Sequence, residues 1–144
     1  MDMFVKEIMT SDPACCPPDT KLQDVARMMV DNDCGCIPVV EDSGSKMPIG
    51  MVTDRDITTR IVAAGQNPLD LTAADAMSPS VITVTPETSL EQCCSLMEEN
   101  QLRRLAVVDA AGSCCGIIAQ ADIATNASKA KTAEVVQEVS RASA

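Results

Sequence analysis

Apolar positions recur along this chain in two rhythms. Leu22, Val25, Ala26 and Met29 fall at helical spacing, and so do Leu90, Cys93, Cys94 and Met97. Each helical stripe reads as a core-facing surface. After each comes a pair of short apolar runs: residues 37–41 and 49–53, then 105–109 and 116–119. These read as strands joined by turns that carry Gly44 and Gly112. Brief extended pieces closed by Pro precede the helices, at residues 14–16 and 81–84. Helices follow the second strands, at 54–64 (closed by Gly65) and roughly 120–128. Thr20 with Gln23, and Thr88 with Glu91, fit a capping box at the start of the two long helices. Those helices are expected to end at Asn32 and Asn100, because Asn tolerates the left-handed conformation.

The two halves of this pattern are one motif written twice. At a shift of 68 (77 − 9), Met9 matches Met77, Pro18 matches Pro86, Leu22 matches Leu90 and Val39-Val40 match Val107-Val108. After a shorter turn the shift is 66, and Gly50 matches Gly116 and Asp56-Ile57 match Asp122-Ile123. The order in each copy is β-α-β-β-α, with a short helix in front ending near Met9 or Met77. The expected divisions are a first repeat over 1–65, a linker over 66–72 with Asn67-Pro68 as breaker, a second repeat over 73–128 and a tail over 129–144. Val135, Val136 and Val139 place one apolar face on that tail, which reads as a short helix.

Composition narrows the partners. The 144 residues carry a net charge of −10, which argues against nucleic acid or an anionic membrane, since both need an electropositive face. No signal peptide or membrane-length apolar run is present, so the expected location is the cytoplasm. Phe4 is the one aromatic residue, so a flat ligand would be held between aliphatic side chains. The eight cysteines include no C-x-x-C pair and the chain has no His, so reduced thiols used as small apolar side chains are expected and no metal is.

Chemistry concentrates where residues 49–53 meet the next helix. Thr53 with Asp56 three positions on is a helix cap read one way. Read the other way, the helix start is an anion site, with the Thr53 hydroxyl as a further donor and the Asp56 carboxylate as acceptor for a sugar diol. Arg103 and Arg104, just before a strand, are either a solvated face or a bidentate phosphate grip. Arg55 and Arg60 leave the same choice open between ion pairs and phosphate contact. The second copy keeps Asp122 but replaces Thr53 by Ala119. A cap alone would be expected to keep its hydroxyl, which favours the sugar role for the carboxylate.

The tandem copy, with "IPVVED…GMVTDRDI" and "RRLAVVD…GIIAQADI", resembles the CBS domain, named for cystathionine β-synthase, over about residues 4–128. The whole resembles the small stand-alone bacterial two-repeat proteins of the hypoxic-response kind. The resemblance implies an α+β fold in which the two repeats pack through their sheets about a pseudo-twofold axis, as a Bateman module. It also implies clefts that take an adenosyl ligand such as AMP, ADP, ATP, NAD(H) or S-adenosylmethionine, and a disc-like homodimer that signals to an unidentified effector protein. Carried over residue by residue, one cleft would use the Met51 backbone, Thr53, Asp56, Thr83, Val84 and Arg104. The other would use Asp122 and Ala119 with Cys15, Cys16, Cys36 and Ile37. Ala119 lacks the hydroxyl, and Cys36 stands where the other copy has Arg104 (104 − 68), so the second cleft is expected to be weak, empty or adapted to a less charged ligand. A regulatory binding protein without catalytic activity is the resulting expectation. The alternatives are a dimerisation scaffold that binds no nucleotide, or a Cys-based metal or redox sensor.

Overall fold

The computed structural model describes residues 3–79, 82–126, 137 and 139. In chain order they form a 3-10 turn Val5–Glu7, β1 (Thr10–Ser11), α1 (Leu22–Asp31), β2 (Cys36–Val40), β3 (Pro48–Thr53), a single α-turn α2 (Asp54–Asp56) running into a π-helix Ile57–Val62, a 3-10 turn Pro68–Asp70, α3 (Ala73–Ala76), β4 (Ser78–Pro79), β5 (Thr83–Val84), α4 (Leu90–Asn100), β6 (Arg104–Val108), β7 (Cys114–Ala119) and α5 (Gln120–Asn126). The mixture of helices and strands is α+β, and the four longer strands fall where the apolar runs predicted them. Of the piece at 14–16 only the Cys16–Val39 bridge is extended pairing. Val81, residues 127–128 and the tail valines Val135 and Val136 lie outside the described residues. Val139 is helical and buried.

Two compact units form, and neither is simply one sequence repeat. One gathers Pro13–Val81 with Gly112–Cys114; the other gathers Met1–Asp12, Ile82–Ala111 and Cys115–Ala144. In the first unit the sheet order is β2-β3-β4, antiparallel, with Gly50 opposite Pro79 and Met51 opposite Ser78. In the second it is β1-β7-β6-β5, with Thr10 opposite Ile117 and Ser11 opposite Gly116. Each leading strand therefore pairs with the second long strand of the other copy. The main-chain bonds repeat this exchange: Val5 N–H donates to Thr88 O and Leu90 N–H to Met3 O, just as Ala73 N–H donates to Thr20 O and Leu22 N–H to Leu71 O. The exchange also accounts for the close Gly contacts. A Cβ on Gly50 would stand 2.8 Å from Ser78 O and 2.9 Å from Met77 Sδ; on Gly116 it would stand 2.7 Å from Met9 Sδ.

Each unit has its own core. Leu22, Val25, Met29, Ile37, Val39, Val52, Ile61, Ala73 and Ala76 bury together in one. Val5, Val84, Leu90, Cys93, Cys94, Met97, Leu105, Val107, Ile118 and Ile123 bury together in the other. The helical stripes are thus core faces, as their spacing predicts, except that Ala26 lies at the margin of its stripe and is exposed.

Local details differ from the sequence reading at three places. The capping boxes expected at Thr20 and Thr88 do not form, because both helices start later. Lys21 and Ser89 are the N-cap residues, and the Leu22 and Leu90 amides are taken by backbone carbonyls from the exchanged segments. Ser89 Oγ accepts the Gln92 N–H at 3.1 Å. α4 ends at Asn100 as expected and α1 one residue before Asn32, but neither Asn is the left-handed residue. Asn32 and Asn100 turn their side-chain amides back to the Met28 and Leu96 carbonyls at 2.8 and 2.9 Å, and the left-handed residues are Asp33 (φ 49°) and Gln101 (φ 52°). Finally, the helix after β3 widens to π geometry. Its run of β-branched Ile57, Thr58 and Thr59 crowds the turn, and the Thr58 and Thr59 hydroxyls donate to the Asp54 and Arg55 carbonyls.

Candidate functional site

The strand-to-helix corner is built by Thr53 and Asp56. Thr53 closes β3 in extended backbone (φ −110°, ψ 161°) and is the N-cap residue of α2. Its Oγ1 accepts the Asp56 N–H at 3.0 Å, and Asp56 Oδ2 accepts the Thr53 N–H at 2.9 Å. The box is complete. The neighbouring amides are also taken: Asp54 N–H by Gly35 O at 3.0 Å and Arg55 N–H by Asp54 Oδ1 at 2.8 Å. This corrects the expectation of unpaired helix-start amides at this corner. What the corner can offer a ligand is the proton of the Thr53 hydroxyl and the second oxygen of the half-buried Asp56 carboxylate.

The second copy repeats the corner without the hydroxyl. Ala119 precedes α5, and Asp122 Oδ2 accepts its N–H at 2.8 Å. Gln120 N–H donates to Arg103 O at 2.8 Å, the counterpart of the Asp54–Gly35 bond. Retention of the Asp in both copies therefore has a backbone cause. A carboxylate kept in both copies thus does not by itself point to a sugar contact.

The other site residues divide between the units. Cys36 opposes Thr53 in the β2–β3 ladder, and its Sγ lies 3.7 Å from Met51 Sδ, so Cys36, Met51 and Thr53 share one face of that sheet. Ile37, opposite Val52, points to the other face and is fully buried in the core, which leaves its backbone alone for a ligand. Thr83 and Val84 pair with Ala106 and Val107 and line a groove of about 380 Å³ with Thr85, Thr88, Gln92 and Leu96. Arg104, half-buried, opens β6. Arg60 donates through Nη1 to Met77 O at 3.1 Å and Ser78 Oγ at 3.0 Å, tying the π-helix to β4. A second, shallower hollow of about 400 Å³ lies among Met29, Val30, Asp33, Cys34, Gly35 and Asp54; no sequence signal besides the Gly marked it.

None of the eight cysteines, all at described positions, is in a disulfide. Burial pushes the Cys93 thiol up to about 12, with Cys94 beside it adding to the shift. Burial also raises Cys16. A hydrogen bond with Cys114, then burial, raises Cys15. Among the described residues no group of three or more Cys, Asp or Glu is placed to hold a metal ion.

Comparison with known proteins covers nearly the whole chain. The profile of one family, the CBS domain, matches residues 5–63 and 73–129. The CBS domain-containing protein YhcV of Bacillus subtilis is 38% identical over 122 residues, 85% of this chain and 84% of its own. Hypoxic response protein 1 of Mycobacterium tuberculosis is 33% identical over 83% of this chain and 81% of its own. Among solved structures, the crystal structure of Hypoxic Response Protein I with two coordinated zinc ions superposes with a TM-score of 0.75 at 30% identity, over 88% of this chain and all of that one. The structure of CBSX2 in complex with AMP, a protein of Arabidopsis thaliana, superposes with a TM-score of 0.69 at 26% identity, covering 86% of this chain and 95% of that one.

Proposed function

The chain belongs to the CBS domain family, and from that premise we propose that it is a regulatory CBS-pair protein that binds an adenosyl ligand and signals its level without turning it over. The ligand class is AMP, ADP, ATP, NAD(H) or S-adenosylmethionine. The residues assigned to it are Thr53, Asp56 and the Met51 backbone, with Thr83, Val84 and Arg104. The observation that supports this most is the Asp56 carboxylate. One of its oxygens is fixed on the Thr53 amide, which leaves the other, unbonded among the described residues, as an acceptor for a diol. The AMP-bound relative supports the choice of ligand. Cys36, Ile37, Ala119 and Asp122 form the weaker second site, because Ala119 brings no hydroxyl and Cys36 no charge. A homodimer in the cytoplasm, acting on an effector protein, completes the reading; no described helix is long and apolar enough to cross a membrane.

The saturated amides at the start of α2 favour a second reading, a dimerisation scaffold that binds no nucleotide. A thermal-shift panel of the five ligand types separates the two. A ligand that binds only the folded state raises stability by about 2.7 kcal/mol at a hundredfold excess over Kd. A shift with one adenosyl ligand, and a calorimetric stoichiometry of one tight site per chain, support the sensor. No shift with any of them leaves the scaffold.

A further inference from the structure

Two thiols far apart in sequence meet at the start of β7. β1 runs antiparallel to β7, with Thr10 opposite Ile117 and Ser11 opposite Gly116, and Asp12 N–H donates to Cys115 O at 3.0 Å. There the ladder stops, because Pro13 has no N–H and Asp12 takes the left-handed conformation (φ 52°). Cys15 Sγ then folds back to within 3.3 Å of Pro13 O, and its thiol is hydrogen-bonded to that of Cys114, the first residue of β7. Cys114 is itself pinned, its N–H donating to Lys46 O at 2.8 Å. Both cysteines belong to the same compact unit. Cys15 is half-buried and Cys114 buried, so one sulfur is open to a reagent and the other waits behind it. The pair has no equivalent in the other arrangement of the repeat, where its counterparts are Thr83 (15 + 68) and Pro48 (114 − 66).

We propose that Cys15 and Cys114 form a reversible oxidation site, closing to an intramolecular disulfide under a low-molecular-weight disulfide such as glutathione disulfide. Cys15, the accessible partner, reacts first. Its sulfur bonds one sulfur of the reagent, the reagent's S–S bond breaks, and one thiol leaves with the Cys15 proton. The Cys114 sulfur then bonds Cys15 Sγ, the mixed disulfide breaks, and a second thiol leaves with the Cys114 proton. Two protein thiols are oxidised and one reagent disulfide is reduced to two thiols, so electrons and protons balance. The sulfurs need only close from hydrogen-bonded contact to about 2.05 Å. The hydrogen bond with Cys114, then burial, keep Cys15 protonated against the pull of the Lys46 ammonium. A protonated thiol exchanges slowly, so closure follows sustained oxidation and not a brief pulse. The inference does not depend on the adenosyl ligand.

The test is incubation of the reduced, full-length chain with glutathione disulfide, blocking of the remaining thiols, tryptic digestion and mass spectrometry. The expected product has two thiols fewer per chain and links the peptide of residues 7–21 to that of residues 105–129. The link persists in C34S and C115S, is lost in C15S and in C114S, and is removed by a dithiol reductant. The loop it closes spans about 100 residues, so the oxidised native chain melts roughly 10 °C or more above the reduced one, and oxidant-treated C15S shows no such rise. Should C114S fail to fold, C15S and C115S decide the matter. A link that survives in C15S, a link lost in C115S, or glutathione adducts with no link in the native chain overturns the assignment.

Discussion

Asp122 holds the Ala119 amide at 2.8 Å, the same bond that Asp56 makes to Thr53 at 2.9 Å. The carboxylate is therefore a structural part in both copies, and by the proposal above it serves the tight ligand site in one of them and the weaker site in the other. Asp56→Ala and Asp122→Ala should each lower the ligand-free melting temperature by about 2–4 °C, the effect of a lost cap of about 1 kcal/mol. Only Asp56→Ala should also abolish the melting shift produced by AMP. An unchanged AMP shift in that variant removes Asp56 from the binding site.

The missing hydroxyl can be put back. Ala119→Thr restores an acceptor for the Asp122 amide and should stabilise the chain by about 0.5–1 kcal/mol, read as a higher urea midpoint. With Cys36 unchanged, the AMP stoichiometry from calorimetry should stay at one. A second tight equivalent would show that the hydroxyl alone, and not the Arg, is what the second site lacks.

Gly50 and Gly116 face the exchanged strands, and their substitution should not cost the same. An added Cβ at Gly50 meets a main-chain oxygen, Ser78 O, at 2.8 Å. At Gly116 the closest atom is the mobile Met9 Sδ at 2.7 Å, and the carbonyl of Thr10 is 3.1 Å away. Gly50→Ala should cost about 1–3 kcal/mol in chemical denaturation, and Gly116→Ala distinctly less.

Alkaline pH should weaken the fold through Cys93. Its thiol ionises near 12 in the folded chain against 9.0 when free. The native state thus holds a proton that the unfolded state gives up, and stability is full below about pH 9 and declines toward about pH 12. Each pH unit in that window removes up to about 1.4 kcal/mol. Urea midpoints at a series of alkaline pH values should fall less steeply for Cys93→Ala than for the native chain.

Much of this was readable from the residues because local rhythm fixes local structure. Val25, Met29, Cys93 and Met97 mark core faces by spacing alone, and the doubled Gly50 and Gly116 mark equivalent points. What escaped depends on partners distant in sequence. The helices start at Leu22 and Leu90 because Leu71 O and Met3 O arrive there, which no capping motif encodes. The Cys36–Met51 contact depends on the register of the β2–β3 ladder, which the alternation of residue types left undetermined. The backbone role of Asp56 and Asp122 escaped for a related reason: sequence shows which residue types persist, not which amide each one holds.

The traded strands also bear on how such a chain arises. Thr10–Ser11 is stitched to the strand that ends at Ala119, and Ser78–Pro79 to the strand that ends at Thr53. A gene carrying a single copy would encode an edge that fits its own sheet only if the peptide looped back, or a sister molecule's sheet if it did not. Fusing two such genes end to end turns that handshake between molecules into one within a molecule, so excising either half should restore the appetite for a partner rather than yield a monomer.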